Sequence, residues 1–380
     1  MTSSRATLIQ VAERAGVSLA STSRALHGSG ASAAMVERVR AAAKELGYSP
    51  DAIGRSLRMK KTFQIAFAVA DIGNPVYVEM MTAIHEVLEP HGYRVVVMST
   101  GGTTASTTEL VRSLSGGFVD GMILVPLRTD DRLIDTLQQR DVPVVVVGRP
   151  LGDHGIDSVS TDSAAGIGQA VLHLREIGRR RVGFLNGPLD TTPGEARQRG
   201  FDAVTADDGA PGPVEVADDF TVAAGVVAAR RLLDRAAADG EPLDAVVAAN
   251  DLLAIAAIRA ARERGLSVPE DLAVTGMDDT EFGRVFQPTL TSVSLGSAER
   301  GRSAARIMLD LAEGREEGTR QVQVGPRLIV RESTSAVDAG PADAASAPSE
   351  PAAAVPVPSE LAAVEPADTA PADPATGDAS

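Results

Sequence analysis

The chain has no cysteine and no tryptophan, and only 3% of its residues are aromatic. Without thiols there are no disulfides, no thiolate nucleophile and no cysteine-built zinc site. The five histidines (27, 85, 91, 154 and 173) show neither HxxxH nor HxH spacing, so no metal site is expected. No run approaches 18 consecutive apolar residues, which argues against a membrane span. The opening MTSSRATLIQVAERAG has no apolar core of a secretory signal, so a cytoplasmic location is expected. The nearest thing to a cofactor loop is DSAAGIGQAV, with Gly166-x-Gly168, but Val171 replaces the third glycine of a dinucleotide fingerprint. With no nucleophile or acid–base set in view, no enzyme and no cofactor are expected.

What the chain does have is length, apolar content and an uneven charge. Its 380 residues suit two or three domains, and 44% hydrophobic residues are enough for sizeable cores. The formal net charge is -15, yet residues 1–61 hold ten Lys/Arg against four acids, a local +6. Fields are screened beyond roughly 8–10 Å at cellular salt, so a surface of this first segment can meet phosphates although the whole chain is acidic. At the other end, residues 336–380 contain sixteen Ala, eight Pro, eight acids and no Lys or Arg. Such a composition cannot bury a core, and a disordered tail without coiled-coil heptads is expected.

Three short helices are expected between residues 7 and 47. Thr7 and Gln10 make a capping box, and Leu8, Val11, Ala12 and Ala15 follow helical spacing. Gly16 supplies a left-handed turn, Ser18 caps a second helix over 18–26, and Ser32 caps a third that ends at Gly47. From residue 63 the pattern changes to β-branched runs such as FQIAFAV, DGMILVP and VPVVVVG, alternating with amphipathic helical stretches. This alternation predicts two doubly wound parallel sheets of about five or six strands, with a ligand cleft at the carboxyl ends of the strands.

The segment VAERAGVSLASTSRAL carries the sharpest chemistry. It reads as a helix-turn-helix whose second helix turns Leu19, Ala20, Ser23 and Arg24 outward. Arginine is the usual bidentate reader of guanine O6/N7, and small hydroxyls suit phosphates. A capped helical hairpin with no nucleic-acid role has the same local pattern, and the basic first segment favours DNA.

Residues 7–335 resemble the LacI/GalR family of bacterial transcription regulators. The stretches carrying the resemblance are TLIQVAERAGVSLASTSRALHG, GYSPDAIGRSL, AANDLLAIAAIRAARERGLSVPEDLAVTGMDDTEF, QPTLTSV and PRLIVREST. It implies a helix-turn-helix headpiece with a hinge helix at 51–59 (domain 1–61) and a two-lobed, periplasmic-binding-protein-like domain at 62–335. It further implies a dimer on a palindromic double-stranded DNA operator and control by a small effector, most often a sugar. By position it assigns DNA contacts to Thr7, Ser18, Leu19, Ala20, Ser21, Ser23, Arg24, Tyr48, Ile53, Leu57 and Arg58, with Leu57 as a minor-groove wedge. It assigns effector contacts to Asp71, Asn74, Tyr77, Arg149, Arg197, Phe220, Asn250 and Asp278. A solute-binding protein of a transport system would share the two lobes, but it would leave the basic segment 1–61 without a purpose.

Four residues depart from the family pattern: Gln10, Thr22, Asp51 and Gly54. Asp51 repels phosphate, and Gly54 inside the hinge helix costs about 1 kcal/mol relative to alanine. Asp51→Asn combined with Gly54→Ala is therefore expected to tighten operator binding. Equal gel-shift affinities for parent and double variant would refute that reading of the hinge.

Overall fold

The computed structural model describes residues 6–27, 30–48, 61–114, 116–206, 212–315 and 318–335. The hinge at 51–59 and the tail at 336–380 lie outside them, and so do the assignments made to Ile53, Leu57 and Arg58.

The amino-terminal segment folds into α1 (Leu8–Ala15), α2 (Leu19–His27) and α3 (Ala33–Glu45). Thr7 and Gln10 form the reciprocal capping box expected of them, and Gly16 makes the tight turn with φ 65°. Ser18 Oγ accepts from the Ser21 amide at 3.2 Å, which caps α2. Ser32 sits at the start of α3 but makes no side-chain cap. The small core is Val11, Ala25, Val39, Ala42 and Ala43. Thr22 is fully buried beside it, and its hydroxyl donates to the Ser18 carbonyl at 3.0 Å. That hydrogen bond lets a polar residue occupy an otherwise apolar position.

The rest of the chain builds two sheets. The first runs β11-β5-β4-β3-β1-β2, with β1 (Gln64–Val69), β2 (Arg94–Ser99), β3 (Gly121–Val125), β4 (Val144–Gly148), β5 (Asp157–Thr161) and β11 (Gln321–Val324). The second runs β12-β10-β9-β8-β6-β7, with β6 (Val182–Asn186), β7 (Val214–Val216), β8 (Ala245–Ala248), β9 (Ala273–Met277), β10 (Thr291–Ser294) and β12 (Arg327–Ile329). All pairings are parallel except β10 with β12. Central strands such as β3, β6 and β9 are buried along their whole length. Helices cover both faces of each sheet, and this is why the strands read as unbroken apolar runs.

The helices that shape the cleft are α4 (Val76–Leu88), α7 (Ser163–Glu176), α8 (Thr192–Thr205), α10 (Asp251–Arg262) and α12 (Ser297–Ala312). The remaining helices of the two lobes are α5 (Thr104–Leu114), α6 (Asp131–Gln138), α9 (Val222–Ala238) and α11 (Glu281–Val285). Gly166 and Gly168 lie inside α7, which Asp162 caps through the Ala165 amide at 2.9 Å. The partial glycine fingerprint is therefore helix interior, not a phosphate loop.

The chain crosses between the sheets after β5, after β10 and after β11. The second crossing returns α12 to the first lobe, where it packs on α4 and beneath β3, β4 and β5. Gly301 permits that approach, because a Cβ there would fall 2.6 Å from the Met80 carbonyl oxygen. Beside the cleft the lobes are also tied directly. Arg128 binds both carboxylate oxygens of Asp190, at 2.7 and 2.9 Å, and the Thr192 amide donates to the Leu127 carbonyl at 2.9 Å.

Candidate effector cleft and DNA-facing helix

At the carboxyl ends of the strands lies a cavity of about 680 Å³, walled by both lobes. Its size falls within the range that ligand pockets of proteins occupy. Seven of the eight residues assigned to the effector from the sequence line it: Asn74, Tyr77, Arg149, Arg197, Phe220, Asn250 and Asp278. Asp71 is not among its lining residues. Its exposed side chain instead accepts from the Gly73 amide at 2.8 Å, closing a local turn.

The second lobe contributes a guanidinium and a carboxylate. Arg197 projects from the first half of α8, which Thr191 caps through the Gly194 amide at 3.1 Å. Its Nη2 lies 3.6 Å from Asp278 Oδ1, and both side chains are 8% exposed. The guanidinium also sits over the Phe220 ring, 5.7 Å from its centroid. Asn250 spends part of its capacity locally, accepting from the Leu253 amide at 2.9 Å and donating to the Phe220 carbonyl at 3.1 Å.

The loop after β9 holds Asp278 in a strained backbone. Asp278 has φ 107° and Asp279 φ 54°, both in the half of the map that favours glycine. Such positions cost on the order of 1–3 kcal/mol each and persist only where the surroundings fix them. Asp251, fully buried at the start of α10, does much of this fixing. It accepts from the Thr280 amide at 2.6 Å, the Thr280 hydroxyl at 2.8 Å and the Ser292 hydroxyl at 2.6 Å. The Asp279 amide donates to the same Ser292 hydroxyl at 3.0 Å. Burial, with the Asp278 charge nearby, pushes the Asp251 carboxyl up to about 7. The sequence reading passed over this residue, although the adjacent Asn-Asp of AAND was visible.

From the first lobe come Tyr77 and Arg300. Tyr77 packs edge-on against Phe67, and burial raises its hydroxyl to about 12, so it offers a neutral donor and acceptor. Arg300, on α12, also went unrecognised in the sequence. It is 6% exposed and lines the cavity. Burial pushes Asp278 up, and the Arg197 and Arg300 charges pull it back. Burial also pushes both guanidinium groups down, with Asp278 opposing. Arginine stays protonated in proteins, so the three groups form a cluster of two buried cations and one anion.

In the amino-terminal segment, Leu19 is 47% exposed, and Ala20 and Arg24 also face solvent on one side of α2. Ser21 and Ser23 are half-buried beside them, while Thr7 and Ser18 are exposed at the starts of their helices. Tyr48 packs partly against the small core. The outward face therefore carries one long cationic side chain beside an exposed leucine and small residues, the profile of a helix that can lie against a groove.

These features agree with what the chain resembles. Residues 7–51 match the model for bacterial regulatory proteins of the lacI family, and residues 171–334 match the periplasmic binding protein-like domain. The transcriptional regulator CelR of Thermobifida fusca is 35% identical over 339 residues, covering 87% of this chain and 98% of CelR. The transcriptional repressor CytR of Escherichia coli is 31% identical over 337 residues, covering 87% of this chain and 97% of CytR. Among solved structures, a CelR–cellobiose complex aligns at TM-score 0.64 with 35% identity, over 87% of this chain and all of that one. The lac repressor dimer bound to operator and the anti-inducer ONPF aligns at 0.76 with 26% identity, over 87% and 99%. No helix among the described residues is long and apolar enough to cross a membrane. The chain belongs to the lacI family of bacterial regulatory proteins.

Proposed function

We propose that this protein is a transcriptional repressor that binds a palindromic DNA operator as a homodimer and is controlled by a carbohydrate held between its two lobes. It acts in the cytoplasm and catalyses no reaction. Residues 1–61 serve as the DNA-binding headpiece with its hinge, residues 62–335 as the effector and dimerisation domain, and 336–380 as an appended tail. The observation that carries the reading is the pairing, in one chain, of an exposed basic-tipped helix with a two-lobed cleft lined by planar polar groups. Arg197, Asn250 and Asp278 suit the adjacent hydroxyls of a sugar, and Phe220 suits the apolar face of its ring. A transport solute-binding protein explains the cleft but leaves the amino-terminal helices idle. Effector and operator affinities are then linked reciprocally, because both bias the arrangement of the same two lobes.

Arg24 is assigned the base contact. In the full chain, Arg24→Ala is expected to weaken specific operator binding by about 5–150-fold, the 1–3 kcal/mol of one bidentate base contact. Non-specific binding should change little beyond its salt dependence. A gel shift on operator and scrambled duplexes checks both, and equal specific affinity for parent and variant would overturn the assignment.

A further inference from the structure

Four guanidinium groups line the cavity, those of Arg149, Arg197, Arg199 and Arg300, against the three carboxylates of Asp162, Glu195 and Asp278. Two of the carboxylates are already engaged at the rim. Glu195 pairs with Arg199 at 2.6 Å, both exposed, and Asp162 caps α7. In the buried part, Asp278 therefore faces both Arg197 and Arg300. Arg197 lies 3.6 Å from it, whereas no ion pair of Arg300 occurs among the described residues. The Nη2 of Arg300 reaches only the Ser297 hydroxyl, at 3.3 Å. The Nε atoms of both arginines are buried without a hydrogen-bond partner.

The position makes Arg300 harder to explain as mere packing. It shares the inward face of α12 with Ala304, Ile307 and Met308, all buried and apolar. That face packs on the first lobe, whereas Arg197 and Asp278 belong to the second. Two buried cations from opposite lobes thus line one cleft, and the charge of Asp278 acts on both. Filled with water, the cleft can hydrate them. A neutral polyol displacing that water would leave Arg300 buried with no ion pair among the described residues, an arrangement proteins avoid. A planar or tetrahedral anion fits two guanidinium forks well, because each fork can donate in parallel to two oxygens.

Resting on the reading of a carbohydrate-controlled regulator, we infer that Arg300 is a ligand-binding residue and that the effector is an anionic carbohydrate, whose carboxylate or phosphate is held between Arg300 and Arg197. The anion then does more than occupy the site. By neutralising the repulsion between cations on opposite lobes it favours their approach, so the charge of the effector contributes directly to the lobe arrangement that the DNA senses.

Isothermal titration of the full-length protein with glucose, cellobiose, glucuronate and glucose 6-phosphate tests this. One anionic probe is expected to bind at least tenfold more tightly than either neutral one, and which of the two does so distinguishes carboxylate from phosphate. Arg300→Met should reduce that preference to threefold or less, weakening the anionic probe and, with the stranded charge gone, not weakening the neutral sugars. Arg300→Lys, which keeps the charge and loses the fork, should retain part of the preference and serves if the methionine variant does not fold. A neutral probe binding as tightly as both anionic ones, or a preference surviving Arg300→Met, overturns the inference yet leaves a sugar-controlled regulator standing. If no probe of either charge binds or alters operator affinity, the carbohydrate reading fails with it.

Discussion

Asp278→Ala is expected to lower the stability of the full-length protein by about 3–5 kcal/mol and to abolish its response to effector. The magnitude is that of removing one partner from a buried ion pair, which leaves the opposite charge uncompensated. Here the removal is more severe than in an isolated pair, because Asp278 is the buried counter-charge that both Arg197 and Arg300 face. A second cost comes from the backbone, since Asp278 sits at φ 107° and alanine tolerates positive φ less well than aspartate or asparagine. Asp278→Asn separates the two contributions. Asparagine keeps the shape and the backbone tolerance but not the charge, so it should recover the strain component and little else. Urea denaturation at pH 7 measures the stability, and operator release in the presence of effector measures the response. Asp278→Ala within 1 kcal/mol of the parent would show that water, not Asp278, compensates the two arginines.

The architecture was legible in the sequence because the physics that builds it is local and repetitive. A strand buried on both faces needs an unbroken apolar run, and VPVVVVG and DGMILVP are such runs. The amphipathic stretches between them could only be the covering helices. Much of the candidate cleft was legible through the family resemblance, which assigns Arg197, Asn250 and Asp278 by position, while Arg149 stands at a strand end, where open parallel sheets place ligands. Arg300 was not. It lies in ERGRSAARIMLD, where arginines alternate with small residues as on any solvated helix. Only the return of α12 to the first lobe turns this one inward. Asp71 stands apart from the other seven: the resemblance assigns it to the effector, but its carboxylate closes its own turn at Gly73. Asp251 was overshadowed by its neighbour. Asn250 announces itself as a helix cap, whereas the partners of Asp251, Thr280 and Ser292, lie 29 and 41 residues further along the chain. No local pattern reports contacts at that separation.

Asp251 supplies the second large effect, a pH dependence. Its carboxyl titrates near 7 in the folded protein against an ordinary 3.8. Between those values the folded state holds a proton that the unfolded chain has released, so folding is favoured at the acid end. The contribution is fully present below about pH 4 and is lost as pH rises through about 7, at roughly 1.4 kcal/mol per unit. The groups acting on it include the nearby Asp278 charge, the three donors from Thr280 and Ser292, and the more distant charges of Arg197 and Arg284. Burial and Asp278 raise it, and the donors oppose them. Asp251→Asn removes the titration while preserving most of the contacts. Its carbonyl oxygen can accept from Thr280, and its amide can donate to the Ser292 hydroxyl, which also accepts from the Asp279 amide. Subtracting the two stability curves cancels the titrating groups remote from Asp251, His173 and the surface carboxylates included. The expected difference is a gain for Asp251→Asn of about 2–3 kcal/mol between pH 5 and pH 7, levelling off by pH 8. A difference that stays flat across that range would mean that Asp251 is ionised throughout, held so by its three donors. Because the same residue secures the loop that presents Asp278, effector affinity of the parent should weaken over the same pH interval. In Asp251→Asn it should not.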